Sequence, residues 1–106
     1  MTLTAFVTLL KTADSKVTKN KSNGETNYTI WTPYQDITVE YDGISEIIGQ
    51  RIQVDRFTLL DADSVVPAIT AALIGRDDLS MDIQPMIRED DTGYFHFIWD
   101  CEVAYG

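Results

Sequence analysis

The stretch YFHFIWDCEV, residues 94–103, decides the fold class because its two sets of alternate positions differ in character without a break. One set holds Phe, Phe, Trp, Cys and Val, and the other holds Tyr, His, Ile, Asp and Glu. Successive side chains of an extended strand point to opposite faces of the sheet. The pattern therefore predicts a strand with one buried face. Its density of aromatic residues predicts a central place in the sheet.

Several other segments of the chain also predict strands. Residues 26–32 and 37–41 alternate in the same way, and Pro33 to Asp36 between them predicts a hairpin with a four-residue connection. A single helical turn is predicted for residues 44–49 and a third strand for residues 51–60. A further strand is predicted for residues 81–88, where Pro85 indicates a sheet edge or a bulge. The turn predicted at residues 90–93 leads into the last strand.

Two segments predict helices. Apolar residues at positions 3, 6, 7, 10, 13 and 17 follow the spacing of an amphipathic helix, with Thr2 or Thr4 as its cap. Alternation with threonine over positions 3–9 leaves a strand open as the alternative. Asp63 is the predicted N-cap of the second helix, and Gly75 its stop. The whole predicts one α+β domain over residues 1–106, with a four- to five-stranded, mostly antiparallel sheet and one or two helices packed on one face.

The charges divide the chain into two unequal parts. Residues 1–24 contain all four lysines and one acid, which gives a charge of +3. Residues 25–106 contain 16 acids against four arginines, which gives −12 and a net charge of −9 for the chain. A surface this acidic repels phosphates and anionic lipid and attracts cationic proteins. Direct nucleic-acid binding and membrane binding are therefore disfavoured.

The reactive residues do not assemble into a known catalytic or metal site. His96 is the only histidine and Cys101 the only cysteine. Their odd separation on one strand predicts opposite faces, so they cannot act as a pair. A structural zinc site lacks ligands, and the acid-rich turns lack the spacing of a calcium loop. We expect no catalytic residues, no metal and no cofactor, and the single cysteine favours the cytoplasm.

The feature that remains is a combination of acids with aromatic residues. Acids follow the second helix, occupy the turn before the last strand, and share one face of that strand with Tyr94 and His96. Carboxylates beside tyrosine suit the Lys and Arg side chains of a basic protein. The predicted partner-binding residues are Asp77, Asp78, Asp82, Glu89, Asp90, Asp91, Tyr94, His96, Asp100 and Glu102.

In size, charge and its aromatic, acidic strand 94–102, the chain resembles the immunity proteins of bacterial toxin systems. It is particularly similar to those of contact-dependent growth inhibition, whose toxins are often basic nucleases. That family has no diagnostic motif, so no functional residue is transferred. The resemblance implies a cognate basic toxin, bound tightly in the cytosol with its active site covered or distorted.

Three alternatives stay open. One is a small enzyme or ligand-binding domain with a pocket between the sheet and the helices, for a cationic or sugar ligand. Another is a phage-type anti-defence or DNA-mimic inhibitor, which shares the electrostatic argument and differs in its target. The third is a structural building block that forms a dimer through an exposed strand edge. A monomer is equally compatible with the sequence.

Overall fold

The computed structural model describes all residues, 1–106. It contains two helices and six strands in the order α1, β1, β2, β3, α2, β4, β5, β6. Their bounds are α1 Leu3–Ala13, β1 Thr18–Lys19, β2 Tyr28–Tyr41, β3 Ile44–Thr58, α2 Val65–Leu73, β4 Leu79–Ile83, β5 Ile87–Arg88 and β6 Phe95–Ala104. The α+β class is therefore confirmed.

All the strands belong to one sheet, in which β1, β2, β3, β6 and β4 are neighbours in that order and β5 also pairs with β6. Every pair is antiparallel except β1 with β2. The last strand, β6, lies between β3 and β4, so its predicted central place is confirmed. The sheet has six strands instead of four or five. The two residues of β1 gave no alternation to detect, and the single strand predicted for residues 81–88 is divided at residues 84–86, around Pro85, into β4 and β5.

The hydrophobic core lies between the helices and one face of the sheet. Trp99, Cys101 and Val103 of β6 are buried there, as the alternation predicts. They belong to one cluster of 12 buried residues with Trp31 of β2, Ile52 of β3 and side chains of both helices. Full burial of a large apolar side chain contributes about 1.5–3 kcal/mol before entropy is counted. This cluster is therefore the main source of stability.

The N-terminal segment is a helix, as favoured over the strand. Thr2 is its cap, and the Thr2 hydroxyl accepts a hydrogen bond from the backbone N–H of Ala5 at 3.1 Å. Phe6 and Leu10 are fully buried on the side that faces the core. The helix ends at Ala13, earlier than the apolar stripe, which continues to position 17 because Val17 enters the core from the following turn.

The second helix begins at Val65 with Ser64 as its N-cap, so the predicted N-cap at Asp63 is wrong by one residue. Asp63 still binds the helix start, because its Oδ1 accepts the N–H of Val65 at 3.1 Å. Gly75 follows the last turn with a φ of 75°, a conformation that glycine adopts without strain. The predicted stop is confirmed.

A buried ionic cluster connects both helices to the sheet. The Arg56 guanidinium on β3 donates to Asp63 Oδ2 at 2.8 Å, to Asp14 Oδ2 at 3.3 Å and to the Thr29 hydroxyl at 3.3 Å. Asp14 follows α1 and Asp63 precedes α2, so one cation holds the end of one helix and the start of the other. Removal of one partner from a buried ion pair strongly destabilises a fold because it leaves an uncompensated buried charge.

Two of the predicted connections are wrong. Residues 33–36 do not form a loop, because β2 runs unbroken to Tyr41, with a register shift between Pro33 and Gln35. Residues 44–49 are not a helical turn but the first part of β3. The hairpin turn lies instead at Asp42-Gly43, whose φ angles of 48° and 75° suit a tight two-residue turn.

The distal half of this hairpin, residues 36–48, extends beyond the rest of the sheet, and we call it the hairpin arm. β1 reaches along β2 only to Trp31, and the pairing of β3 with β6 ends at Gly49 opposite Ala104. The molecule measures 51 × 26 × 24 Å. Its radius of gyration is 14.9 Å, against about 13 Å for a compact chain of this length.

Candidate functional site

The side of the sheet opposite the helices, which we call the open face, brings together three of the predicted binding residues. Asp100 of β6 pairs with Asp82 of β4, and Glu102 lies two positions along the same strand. Directly paired residues share a face, and so do alternate residues of one strand. The helices cover the other side, where Trp99 and Cys101 are buried. The three carboxylates therefore line one uncovered surface.

The charges of these acids are only partly compensated. Glu102 forms an ion pair with Arg51 of β3. Asp82 and Asp100 lie directly opposite each other, and neither forms an ion pair with a basic side chain. Like charges in such a pair repel and destabilise the sheet, and an approaching cation relieves that repulsion. A cavity of about 430 Å³ adjoins them, with Tyr34 and Arg51 in its lining.

The other end of the open face is aromatic. Phe57 of β3 stacks on Tyr28 with ring centroids 5.0 Å apart and on His96 with centroids 4.1 Å apart. Tyr94 meets Phe57 edge to face at 6.2 Å, and the Tyr94 hydroxyl donates to the backbone oxygen of Thr26. Burial raises the pKa of Tyr28, helped by Tyr94 and the carboxylate of Glu89. These rings fix the positions of Tyr94 and His96, both predicted binding residues.

His96 forms a pair with Asp55 that the sequence alone did not reveal. Nε2 of His96 lies 2.7 Å from Oδ1 of Asp55, and Gln53 donates to the same oxygen at 2.9 Å. The two side chains are mostly buried, with 16% of His96 and 11% of Asp55 exposed. No signal in the sequence could have joined them, because the register between β3 and β6 decides which residues meet.

The single cysteine cannot act as a nucleophile for the Asp55–His96 pair. Cys101 lies on the covered face, opposite to His96, as its odd separation predicts. Burial raises the pKa of the Cys101 thiol to about 12, so the sulfur stays protonated and unreactive at neutral pH. The structure also contains no group of three or more His, Cys, Asp or Glu side chains arranged to hold a metal ion.

The remaining predicted acids form two groups, one of which shares a cavity with Glu102. Asp77 and Asp78 precede β4 and line a cavity of about 260 Å³ at the base of the hairpin arm, beside Ile37 and Ile48. Asp78 is 3.1 Å from the amino group of Met1. The other three, Glu89, Asp90 and Asp91, lie at the turn between β5 and β6. The two groups flank opposite ends of β6, about 30 Å apart along a strand of this length.

The acids without an ion-pair partner are more numerous than the paired ones. Six acids lie within ion-pair distance of a basic group, His96 and the Met1 amino group included: Asp14, Glu25, Asp55, Asp63, Asp78 and Glu102. The other 11 of the 17 do not. They are Asp36, Glu40, Asp42, Glu46, Asp61, Asp77, Asp82, Glu89, Asp90, Asp91 and Asp100. Four of these lie in the hairpin arm, and none of the four is among the predicted binding residues.

No protein-family model matches this chain, and no curated protein matches it as a relative. Neither of the two helices has the length and apolar character needed to cross a membrane.

Proposed function

We propose that this protein is an inhibitor that binds and neutralises a basic protein, as the immunity proteins of toxin systems do. The main support for this proposal is the set of 11 carboxylates without ion-pair partners. Ten of them lie in the hairpin arm, around β4 and β6, and at the β5–β6 turn. All four lysines lie in α1 and the segment that follows it. The negative field is therefore carried by a part of the chain that contains no lysine.

The proposed mechanism is electrostatic capture followed by occlusion. A toxin that cleaves RNA or DNA has a cationic groove because it must hold phosphates. Carboxylates such as Asp82 and Asp100 can take the place of those phosphates. Long-range attraction speeds the encounter, and apolar contacts then slow dissociation. The inhibitor would act in the cytoplasm, where such a toxin meets its substrate, and without a cofactor or a catalytic step.

The test is to mix the purified protein with the protein encoded beside it and to measure affinity and residual toxin activity at rising salt. We expect tight binding, loss of toxin activity, and weaker association in high salt because screening reduces attraction between exposed charges. No binding of a basic neighbour, or binding that salt leaves unchanged, would refute the proposal.

A pair of matched variants separates a local role of the open face from the effect of net charge. Asp82→Asn with Asp100→Asn removes two charges from the open face. Glu25→Gln with Asp61→Asn removes two charges elsewhere and serves as the control. We expect the first variant to weaken binding by about tenfold or more and the control by about twofold. Equal losses would mean that only the total charge matters.

One observation favours a second candidate, a small ligand-binding domain or enzyme. The Asp55–His96 pair lies among aromatic rings, and such a pair can hold a polar ligand or orient an imidazole. A screen of sugars and small cations by ligand-induced stabilisation, repeated on His96→Gln, tests it. Stabilisation by one compound that disappears in the variant would support this candidate against the inhibitor. A DNA-mimic inhibitor differs only in the identity of the captured protein.

A further inference from the structure

The hairpin arm, residues 36–48, consists of two strands that pair with each other, and at its base the N–H of Tyr105 donates to the backbone oxygen of Ile48 at 2.8 Å. Six residues of β2, Asp36 to Tyr41, extend about 20 Å. Both outer edges of the arm are unpaired over most of its length, since β1 ends opposite Trp31 and β6 ends opposite Gly49. Isolated two-stranded hairpins are only marginally stable in water, and unpaired strand edges are templates for another strand.

The arm exposes several large apolar side chains to water. Val39, Tyr41, Ile44, Ile47 and Ile48 are 39–55% exposed. Tyr41 is paired with Ile44, and Val39 with Glu46, so these four share one face, where the Tyr41 hydroxyl also bonds to Glu46 at 3.2 Å. Val39, Tyr41 and Ile44 therefore form the apolar part of one face, and Ile47, paired with Thr38, lies on the other. Contiguous apolar patches on soluble proteins often mark interaction sites. A partner that covers the arm would bury these side chains.

Charge decides which kind of partner fits. The arm contains Asp36, Glu40, Asp42 and Glu46 and no lysine or arginine. None of the four forms an ion pair. A second copy paired along the arm would set four carboxylates against four others, and like charges across paired strands repel. A partner strand in which apolar and basic residues alternate would form hydrogen bonds with the unpaired edge, cover the apolar side chains and neutralise the carboxylates.

We propose that the hairpin arm is a strand-addition site, where an extended segment bearing lysine or arginine pairs with the free edge of β2 or β3. Main-chain hydrogen bonds would supply affinity, and the alternate side chains would supply specificity. The inference deepens the proposed function and rests on it for the source of that segment, the captured basic protein. The pairing itself can be tested with a peptide.

The probe is a peptide in which lysine and valine alternate over about ten residues. A second peptide, with lysine and glycine alternating, has the same charge but neither apolar side chains nor strand propensity. Isotope-labelled full-length protein is titrated with each peptide, and backbone amide shifts and amide exchange are followed by NMR. We expect the lysine–valine peptide to shift and protect amides of residues 36–48, and the lysine–glycine peptide to bind about tenfold more weakly.

A matched pair of variants tests the charge argument. Glu40→Lys with Glu46→Lys reverses two charges in the arm, and Asp90→Lys with Asp91→Lys reverses two at the β5–β6 turn. We expect the arm variant to bind the lysine–valine peptide about tenfold more weakly than the original protein does. The affinity of the turn variant for this peptide should change by about twofold or less. Equal losses in both variants would overturn the proposal.

Three further results would overturn it: equal binding of the two peptides, shifts confined to the open face, or a dimer of the chain that forms through the arm. Size-exclusion chromatography with light scattering detects the dimer. Failure of the proposed function gives a different result. The protein encoded beside it would then not bind, while the lysine–valine peptide still pairs with the arm.

Discussion

The strands β2 and β3 have two halves that look alike in sequence and differ completely in their surroundings. In the half nearer the helices, Trp31, Ile52 and Val54 are buried. In the hairpin arm, Val39, Ile44 and Ile47 belong to the same classes of side chain and are 39–55% exposed. Alternation therefore predicts that a segment is a strand but not that a neighbour covers it. Whether a strand segment is buried depends on where β6 and the helices that pack against it end.

The largest expected effect is in the covered half. Arg56→Ala leaves Asp63 and Asp14 without their cation in a buried place, so we expect the free energy of unfolding to fall by about 3–5 kcal/mol. Urea unfolding measures it. Arg51→Ala, which removes a half-exposed ion pair at Glu102, is the control and should cost about 1 kcal/mol or less. Similar losses in the two variants would contradict the contrast between buried and exposed charge.

A pair of identical substitutions compares the two halves directly. Ile52→Ala removes a fully buried side chain and should lower the free energy of unfolding by about 2–5 kcal/mol. Ile47→Ala, in the arm, should change it by about 0.5 kcal/mol or less because half of that side chain is already in water. Both values come from urea unfolding of the isolated protein. A large loss at Ile47 would mean that something already covers the arm.

The junction of the two halves gives the next effect. A Cβ atom at Gly49 would lie 2.3 Å from the backbone oxygen of Val103, which is closer than any real contact. Gly49→Ala must therefore push β3 away from β6, and we expect a loss of about 1–3 kcal/mol. Thermal unfolding measures the loss, and Ser45→Ala in the arm should have almost no effect. An unaltered melting temperature in Gly49→Ala would show that the arm base is free to move.

The smallest effect is a pH dependence confined to the covered half. Burial alone would raise the pKa of Asp63, but the hydrogen bonds from Arg56 and from the N–H of Val65, with the Arg56 charge, lower it below its usual 3.8. A lowered pKa in the folded state stabilises the fold above pH 3.8, and this contribution disappears as the pH falls through the lowered value. Acid titration of stability should be flatter in Asp63→Asn. Parallel curves would contradict the assignment.

The sequence was informative where the period of two was unbroken. In β6, the alternation from Phe95 to Val103 correctly predicts the strand, its central place and its buried face. Asp100 and Glu102 also share a face because they are alternate residues of one strand, whereas the place of Asp82 opposite Asp100 depends on the register between β4 and β6. Local patterns were enough within β6 because that strand has one covered and one uncovered face.

The sequence misled where a strand departs from that period. A register shift leaves Ile48 without a partner between Ile47 and Gly49, so Ile44, Ile47 and Ile48 acquire the spacing of a helix. Pro33 looked like a break, yet β2 has a neighbour on only one side there, and a strand edge tolerates proline.

Contacts between distant strands could not be predicted from either strand alone. The pair of Asp55 with His96 depends on the register between β3 and β6. The meeting of Arg56 with Asp14 and Asp63 depends on how both helices dock. For the same reason the sequence could not show that the hairpin arm stands apart from the core.

Both tryptophans of the chain, Trp31 and Trp99, lie in the core, and the hairpin arm has none. Intrinsic tryptophan fluorescence therefore reports the loss of the core and is silent about the arm. A tryptophan introduced at Tyr41 would place a reporter at the tip, where its emission would shift to shorter wavelength once a bound chain shields it from water. One optical signal would then follow the two halves of a single hairpin separately.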